Sequence, residues 1–194
     1  MNKFRSYLAF LLLFSLKSTF ALVPNINLTP QNLGYTGTSS IAYFEKIDDE
    51  YLGLVVEVIE EGKYYYASWA YNIESKKAIE LDYTDSLGAQ YVLSGNQFGS
   101  SLMENNPFKA FLKKDNKIYN FVSDNIEVDD STQKYLLITD LETLEQKLIH
   151  LDACSDGFAF VSTDHHDFIG EMYNCNKDFV LYEFSDTSIE KIWT

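Results

Sequence analysis

From Ser40 to Thr194 the chain is a succession of short apolar runs rich in Val, Ile, Leu, Tyr and Phe, separated by brief polar stretches. Runs of this composition fit the pleated surface of a sheet. None carries the 3.6-residue periodicity of an amphipathic helix. A chain that alternates this way must pair its strands antiparallel through short turns and then cover the apolar faces it creates, so the expected fold is all-β.

The runs group in fours. Ile41–Phe44, Leu52–Ile59, Lys63–Tyr71 and Ala78–Leu81 make a first antiparallel meander; Phe108–Leu112, Lys117–Val122, Tyr135–Leu141 and Lys147–Leu151 make a second; Phe158–Thr163, Asp167–Tyr173, Asp178–Phe184 and Ile189–Trp193 make a third. Along the third run of the first meander, Tyr64, Tyr66 and Ser68 alternate with Tyr65, Ala67 and Trp69. Successive strand side chains point to opposite faces, so both faces carry aromatic area and both should be packed. Between the first two meanders, Tyr83–Pro107 breaks the rhythm with Gly88, Gly95 and Gly99 around one further strand, Gln90–Leu93. A stretch of that length without regular structure is uncommon inside a compact domain, and reads either as a functional loop or as a degenerate repeat.

The last two strands of each meander share a pattern. Tyr66–Asp82, Tyr135–Asp152 and Phe179–Thr194 each run apolar strand, polar turn containing Ser or Thr with Asp or Glu, apolar strand. This resembles the outer hairpin of a β-propeller blade, although the turn lacks the Gly that often follows the Thr, the repeat spacing is uneven and no Trp-Asp signature is present. The resemblance implies four-stranded blades. Three are legible where closed propellers typically have about four to eight. Either the leader and the Gly-containing stretch supply a fourth, or the chain is a small or partial propeller or a fragment of a longer one, or the strands form a sandwich or barrel.

The N-terminus has the grammar of a secretory signal peptide: Lys3 and Arg5, an apolar segment Tyr7–Leu16, and small residues ending in Ala21 at the expected cut. The apolar segment is about half the ~20 residues needed to span a bilayer. Residues 1–21 are thus expected to be removed, 22–39 to form an extended arm carrying Pro24 and Pro30, and 40–194 to form one domain in a secreted or periplasmic protein with no stable membrane insertion. Cleavage removes Lys3, Arg5 and Lys17 and no acidic residue, leaving 12 basic side chains against 29 acidic and a formal charge of −17 instead of −14. That field repels phosphate backbones and disfavours nucleic acid as a partner. In an oxidising compartment Cys154 and Cys175 are expected to pair, closing a loop of about twenty residues that contributes about 3 kcal/mol.

Catalytic constellations are not evident. Gly-x-Ser-x-Gly and nucleotide-loop patterns are absent, and adjacent acids such as Asp48-Asp49 read as turn caps in so acidic a chain. No cofactor is expected. The one ligand cluster dense enough for a divalent metal is Asp164-His165-His166-Asp167, with Glu171 beyond it, but neighbouring histidines on extended backbone point apart. With fourteen tyrosines and fourteen phenylalanines, aromatic recognition of a protein, peptide or carbohydrate is the stronger signal, and Tyr64, Tyr65, Tyr66 and Trp69 are its first candidates. The sequence therefore points to a non-catalytic binding module, with a metal-dependent enzyme or metal binder as the alternative.

Overall fold

The computed structural model describes residues 29–35, 38–60, 63–84, 86, 90–91, 108–124, 133–152, 157–163, 166–171 and 179–194. Residues 1–21, expected to be a signal peptide, most of Tyr83–Pro107 and both cysteines lie outside these residues. Within the N-terminal arm, Pro30–Leu33 form one 3-10 turn, started by proline at its first position and ended by Gly34 at φ 95°.

The rest is strand. The elements are β1 (Thr38–Lys46), β2 (Tyr51–Glu60), β3 (Lys63–Asn72), β4 (Ala78–Glu80), β5 (Tyr83–Thr84), β6 (Gln90–Tyr91), β7 (Phe108–Lys109), β8 (Phe111–Lys114), β9 (Lys117–Ser123), β10 (Lys134–Asp140), β11 (Gln146–Leu151), β12 (Phe158–Ser162), β13 (Asp167–Glu171), β14 (Val180–Phe184) and β15 (Ile189–Trp193). They form an antiparallel sheet β1-β2-β3-β4, a second ordered β11-β10-β9-β8, a third ordered β15-β14-β13-β12-β7, and a short ribbon β5-β6. The fold is all-β, and none of these sheets closes into a barrel. Each large sheet is a four-stranded meander in chain order, as blades are, and the third gains β7 as an additional strand.

The three sheets stack face to face with the second in the middle. Strand β9 shows why: Ile118 joins Val55, Ala70 and Phe111 in the layer beneath the first sheet, while Tyr119 and Phe121 join Phe158, Phe160, Ile169 and Tyr182 in the layer beneath the third. Both faces of the middle sheet are thus buried, which is what an apolar run without polar alternation requires. The outward face of the first sheet is also covered, by Leu33 and Tyr35 of the arm lying on Ala67, Tyr65 and Trp69. Packing on both sides of β3, expected from its alternating aromatics, is therefore present.

One expected strand is two. Phe108–Leu112 divides at Ala110, so that β7 pairs with β12 in the third sheet (Phe160↔Lys109) and β8 pairs with β9 in the second (Phe111↔Asn120). The backbone N–H groups at the crossing are taken by neither ladder. Instead the carboxylate of Glu45, on β1, accepts from Phe111 N (2.8 Å) and Ala110 N (3.3 Å) and from the Tyr43 hydroxyl (2.6 Å). A single acid so ties the first sheet to the point where the chain passes between the other two. Burial holds its pKa above the ordinary carboxylate value even against these three donors.

Two of the three repeated hairpins have a common turn. In β3–β4, Asn72 Oδ1 accepts from Ser75 N (2.7 Å) and Lys76 N donates to Asn72 O (2.9 Å); in β10–β11, Asp140 Oδ1 accepts from Glu142 N and Thr143 N (both 2.9 Å) and Leu144 N donates to Asp140 O (2.9 Å). The next residue after Ser75 or Thr143 is left-handed in both, Lys76 at φ 58° and Leu144 at φ 60°. That is the position at which glycine was missed in the sequence pattern. The turn between β14 and β15 is shorter and is capped by Ser185 Oγ, which accepts from Thr187 N (3.2 Å) and Ser188 N (3.1 Å).

Since Leu144 is exposed, glycine there gives up no packing and removes the left-handed penalty. Leu144→Gly is expected to raise stability by about 1 kcal/mol, read as a higher urea midpoint with an unchanged slope.

Candidate functional site

A concave site lies at the edge of the first sheet, just beyond β4. That strand stops at Glu80, so the edge of β3 at Ser68 is met by a side chain in place of another strand. Asp82 Oδ1 accepts from both Ser68 N (3.2 Å) and Ser68 Oγ (2.8 Å), while Leu81 N donates to Ser68 O (2.8 Å). From the middle sheet, Asn120 Nδ2 reaches across to Leu81 O (3.1 Å) and Ser68 Oγ (3.4 Å). Ser68 and Asn120 are both fully buried, and Asn120 Oδ1 accepts no hydrogen bond among the described residues. This polar seam fixes Asp82 from its inner side. Oδ2 takes no part in it.

What Asp82 faces is a cavity of ≈ 90 Å³, bounded by Tyr35 from the arm, Tyr65 of β3, Glu80 of β4, and Tyr83, Thr84 and Gln90 of the β5-β6 ribbon. Trp69 stands behind Tyr35, its indole Nε1 donating to the Tyr35 hydroxyl (3.1 Å) and its ring meeting that of Tyr35 edge-on at 6.2 Å. The Tyr35 oxygen is so oriented by a donor from outside the cavity.

The electrostatics are one-sided. Asp82 is pushed up to about 8, first by burial and further by the negative charge of Glu80, with the Ser68 bonds pulling the other way. The residue as a whole is half-buried and lines the cavity. Glu80 is raised by desolvation alone, and Tyr35 is raised by desolvation and by both carboxyls. No basic side chain among the described residues forms an ion pair with either acid.

A second, wider groove of ≈ 350 Å³ runs along the turn ends of the second and third sheets, past Lys117, Asp140, Lys147 and Asp186. Two of these charges pair with each other, while Lys147 donates to the Asp186 carbonyl and Asp140 caps its own turn. Asp186 pairs with Lys117, accepts from the Tyr119 hydroxyl (2.6 Å) and is held below the usual carboxylate range by both. Lys113 plays the same part between the first two sheets, reaching Asp48 (2.7 Å) and Glu50 (2.6 Å) over the ring of Tyr51. Asp48 also accepts from Glu50 N and Tyr51 N, the turn-capping role expected of it.

The residues singled out in the sequence are distributed as follows. Tyr65 and Trp69 share the outward face of β3, and Tyr66 lies on the opposite face against the middle sheet; the side chain of Tyr64 is outside the described residues. Tyr65 and Trp69 thus lie on the face opposite Tyr66, and among the described side chains of the four Tyr65 lines the cavity, with Trp69 holding Tyr35 from behind. Asp164 and His165 lie outside the described residues, as do Cys154 and Cys175. His166 stacks on Phe168 at 6.0 Å, Asp167 stands 4.0 Å from Lys114, and the buried Glu171 accepts from the Tyr182 hydroxyl (2.7 Å). Among the described residues no group of three or more metal-ligating side chains converges. His150 packs edge-on against Tyr135.

Asp82, Glu80, Tyr35 and Tyr83 were not singled out from sequence. The usable signal was Asp82 itself, which ends its hairpin repeat as Asp152 ends the next. Comparison with protein-family models, with curated proteins and with solved structures found no match.

Proposed function

We propose that the protein is an exported binding module: a stack of propeller-like blades that presents a tyrosine-lined acidic cavity and binds a ligand there without transforming it. The observation that carries this reading is the convergence, from the arm, the first sheet and the β5-β6 ribbon, of three tyrosines and two carboxyls on one small cavity. Small-molecule sites are generally concave, mostly apolar and equipped with a few convergent polar groups. The stacking of the three meanders supports the propeller-like reading, and the basic and apolar segments before Ala21 support export.

The protein recovered from the secreted or periplasmic fraction is expected to begin at Leu22. In a thermal-shift screen of that material against amines, amino acids, peptides and oligosaccharides, at least one class should raise the melting temperature, and Tyr65→Ala should abolish the effect. Turnover of any screened compound, lost on changing one polar residue, would replace the binding-module reading with an enzymatic one. A ligand insensitive to Tyr65→Ala would move the site elsewhere.

A further inference from the structure

We propose that this cavity binds a primary alkylammonium group, with the carboxyls of Asp82 and Glu80 pairing with the cation and the rings of Tyr35, Tyr65 and Tyr83 bounding its carbon chain. The assignment rests on the binding-module reading above and names the ligand class.

Size comes first. At ≈ 90 Å³ the cavity is well below the ~300 Å³ at which pockets for drug-sized ligands begin, so it takes the end of a chain rather than a whole sugar ring. The available polar groups then fix the sign of the ligand. Asp82 commits Oδ1 to Ser68 and leaves Oδ2 without a hydrogen bond among the described residues, Glu80 has no side-chain partner among them, and the Tyr35 oxygen already accepts from Trp69. What these groups lack is a donor carrying positive charge. An anion would meet the carboxyl of Glu80 and the field of a chain in which acidic side chains far outnumber basic ones.

An ammonium group also fits better than a bare metal ion. A hard divalent cation such as calcium seeks about six to eight oxygen ligands, usually with several carboxylates among them, whereas this wall has two carboxyls, three tyrosines, Thr84 and Gln90. Tyrosine faces attract organic cations through the ring quadrupole, and the rings bury the alkyl stem at the same time. The pKa pattern agrees. Asp82 is held up to about 8 by burial without a counter-ion, so an arriving cation would supply the charge that stabilises its ionised form.

The chain has two tryptophans, Trp69 and Trp193, and only Trp69 touches the site, through its bond to Tyr35. Their indole N–H resonances therefore provide a probe and an internal control. Titration of the purified exported protein with n-propylammonium chloride should move the Trp69 resonance saturably and leave that of Trp193 in place. Isosteric propanol and the anion propionate should move neither. Asp82→Asn and Glu80→Gln should each weaken binding roughly tenfold, the equivalent of one charge-assisted hydrogen bond. Glu80 is an exposed strand residue, so its glutamine variant tests the site without endangering the fold.

Affinity should also climb from pH 6 to pH 8, because binding displaces the Asp82 proton while an alkylamine, with a pKa near ~10.4, stays charged. The groups facing Asp82 are Glu80, Ser68, Tyr35, Tyr65, Tyr83, Thr84 and Gln90; of these Glu80 is the other carboxyl, and burial raises it as well. Two further probes separate the sources of the group. Nα-acetyl-lysine methylamide binding at least as tightly as propylammonium would identify a lysine side chain of a partner, and preference for 1,5-diaminopentane would identify a free diamine.

Absence of a saturable Trp69 shift, an equal shift with propanol, or unchanged affinity in both variants would overturn the assignment. If a neutral sugar moves Trp69 where propylammonium does not, the alkylammonium assignment falls and the binding-module reading stands. If no ligand found in the screen responds to changes at Tyr65, Glu80 or Asp82, both fall.

Discussion

Phe121→Ala is expected to lower the stability of the protein by about 3–5 kcal/mol. Phe121 sits on β9 with about 1% of its surface exposed, in the layer between the second and third sheets. Its ring stacks on Phe160 at 4.6 Å and on Phe158 at 5.4 Å, and Phe160 in turn meets Phe184 at 5.8 Å. Truncation removes the ring at the centre of this row, and the sheets on either side cannot close over the space without breaking their own ladders. The cost is then the lost burial plus the cavity that stays behind. In a domain of this size each kcal/mol corresponds to about 2–4 °C, so the melting temperature should fall by about 6–20 °C. Chemical denaturation should show a lower midpoint at unchanged slope. Phe121→Leu retains most of the volume and should cost markedly less. A loss under about 1 kcal/mol for the alanine variant would mean that the second and third sheets are not packed on this row.

The legible and illegible parts of the chain divide along a physical line. Strand positions were legible because β-branched and aromatic runs such as Leu52–Ile59 and Lys117–Val122 are interrupted where the backbone must turn, and the observed β2 and β9 cover them. The common turn was legible only in outline. Asn72 and Asp140 differ in identity but perform the same capping, and the left-handed residues Lys76 and Leu144 carry no sequence mark of their conformation. Contacts set by tertiary geometry were not legible at all. Nothing local distinguishes Ala110 as the point where one apolar run serves two sheets, or Glu45 among 29 acids as the one that caps it. The candidate site was hidden for the same reason. Its members come from the arm, two strands and the ribbon, and a carboxyl becomes unusual only when folding strips it of water, as at Asp82.

The contact between Gly53 and Phe111 makes a sharper test of how the first two sheets meet. Gly53 lies in β2, its backbone in an ordinary extended conformation, and Phe111 is fully buried on β8 of the facing sheet. A Cβ added at Gly53 would collide with Phe111 Cδ2 and stand 2.8 Å from Cε2. Those are ring atoms wedged in a layer with Val55, Ala70 and Ile118, not the free end of a flexible chain. Gly53→Ala should therefore cost about 1–3 kcal/mol through overpacking, despite the usual benefit of replacing glycine within a strand. Phe111→Ala should cost about 3–5 kcal/mol through the cavity it leaves. The two effects act on the same space and cannot add. With the ring gone, the methyl group of Gly53→Ala enters the vacated volume and also restricts the unfolded chain, so in the Phe111→Ala background the same substitution should be neutral or stabilising. A four-variant cycle by urea denaturation would read this as a change of sign. Additive losses would mean that the ring does not rest on the backbone at Gly53, and that the first sheet meets the second in another register.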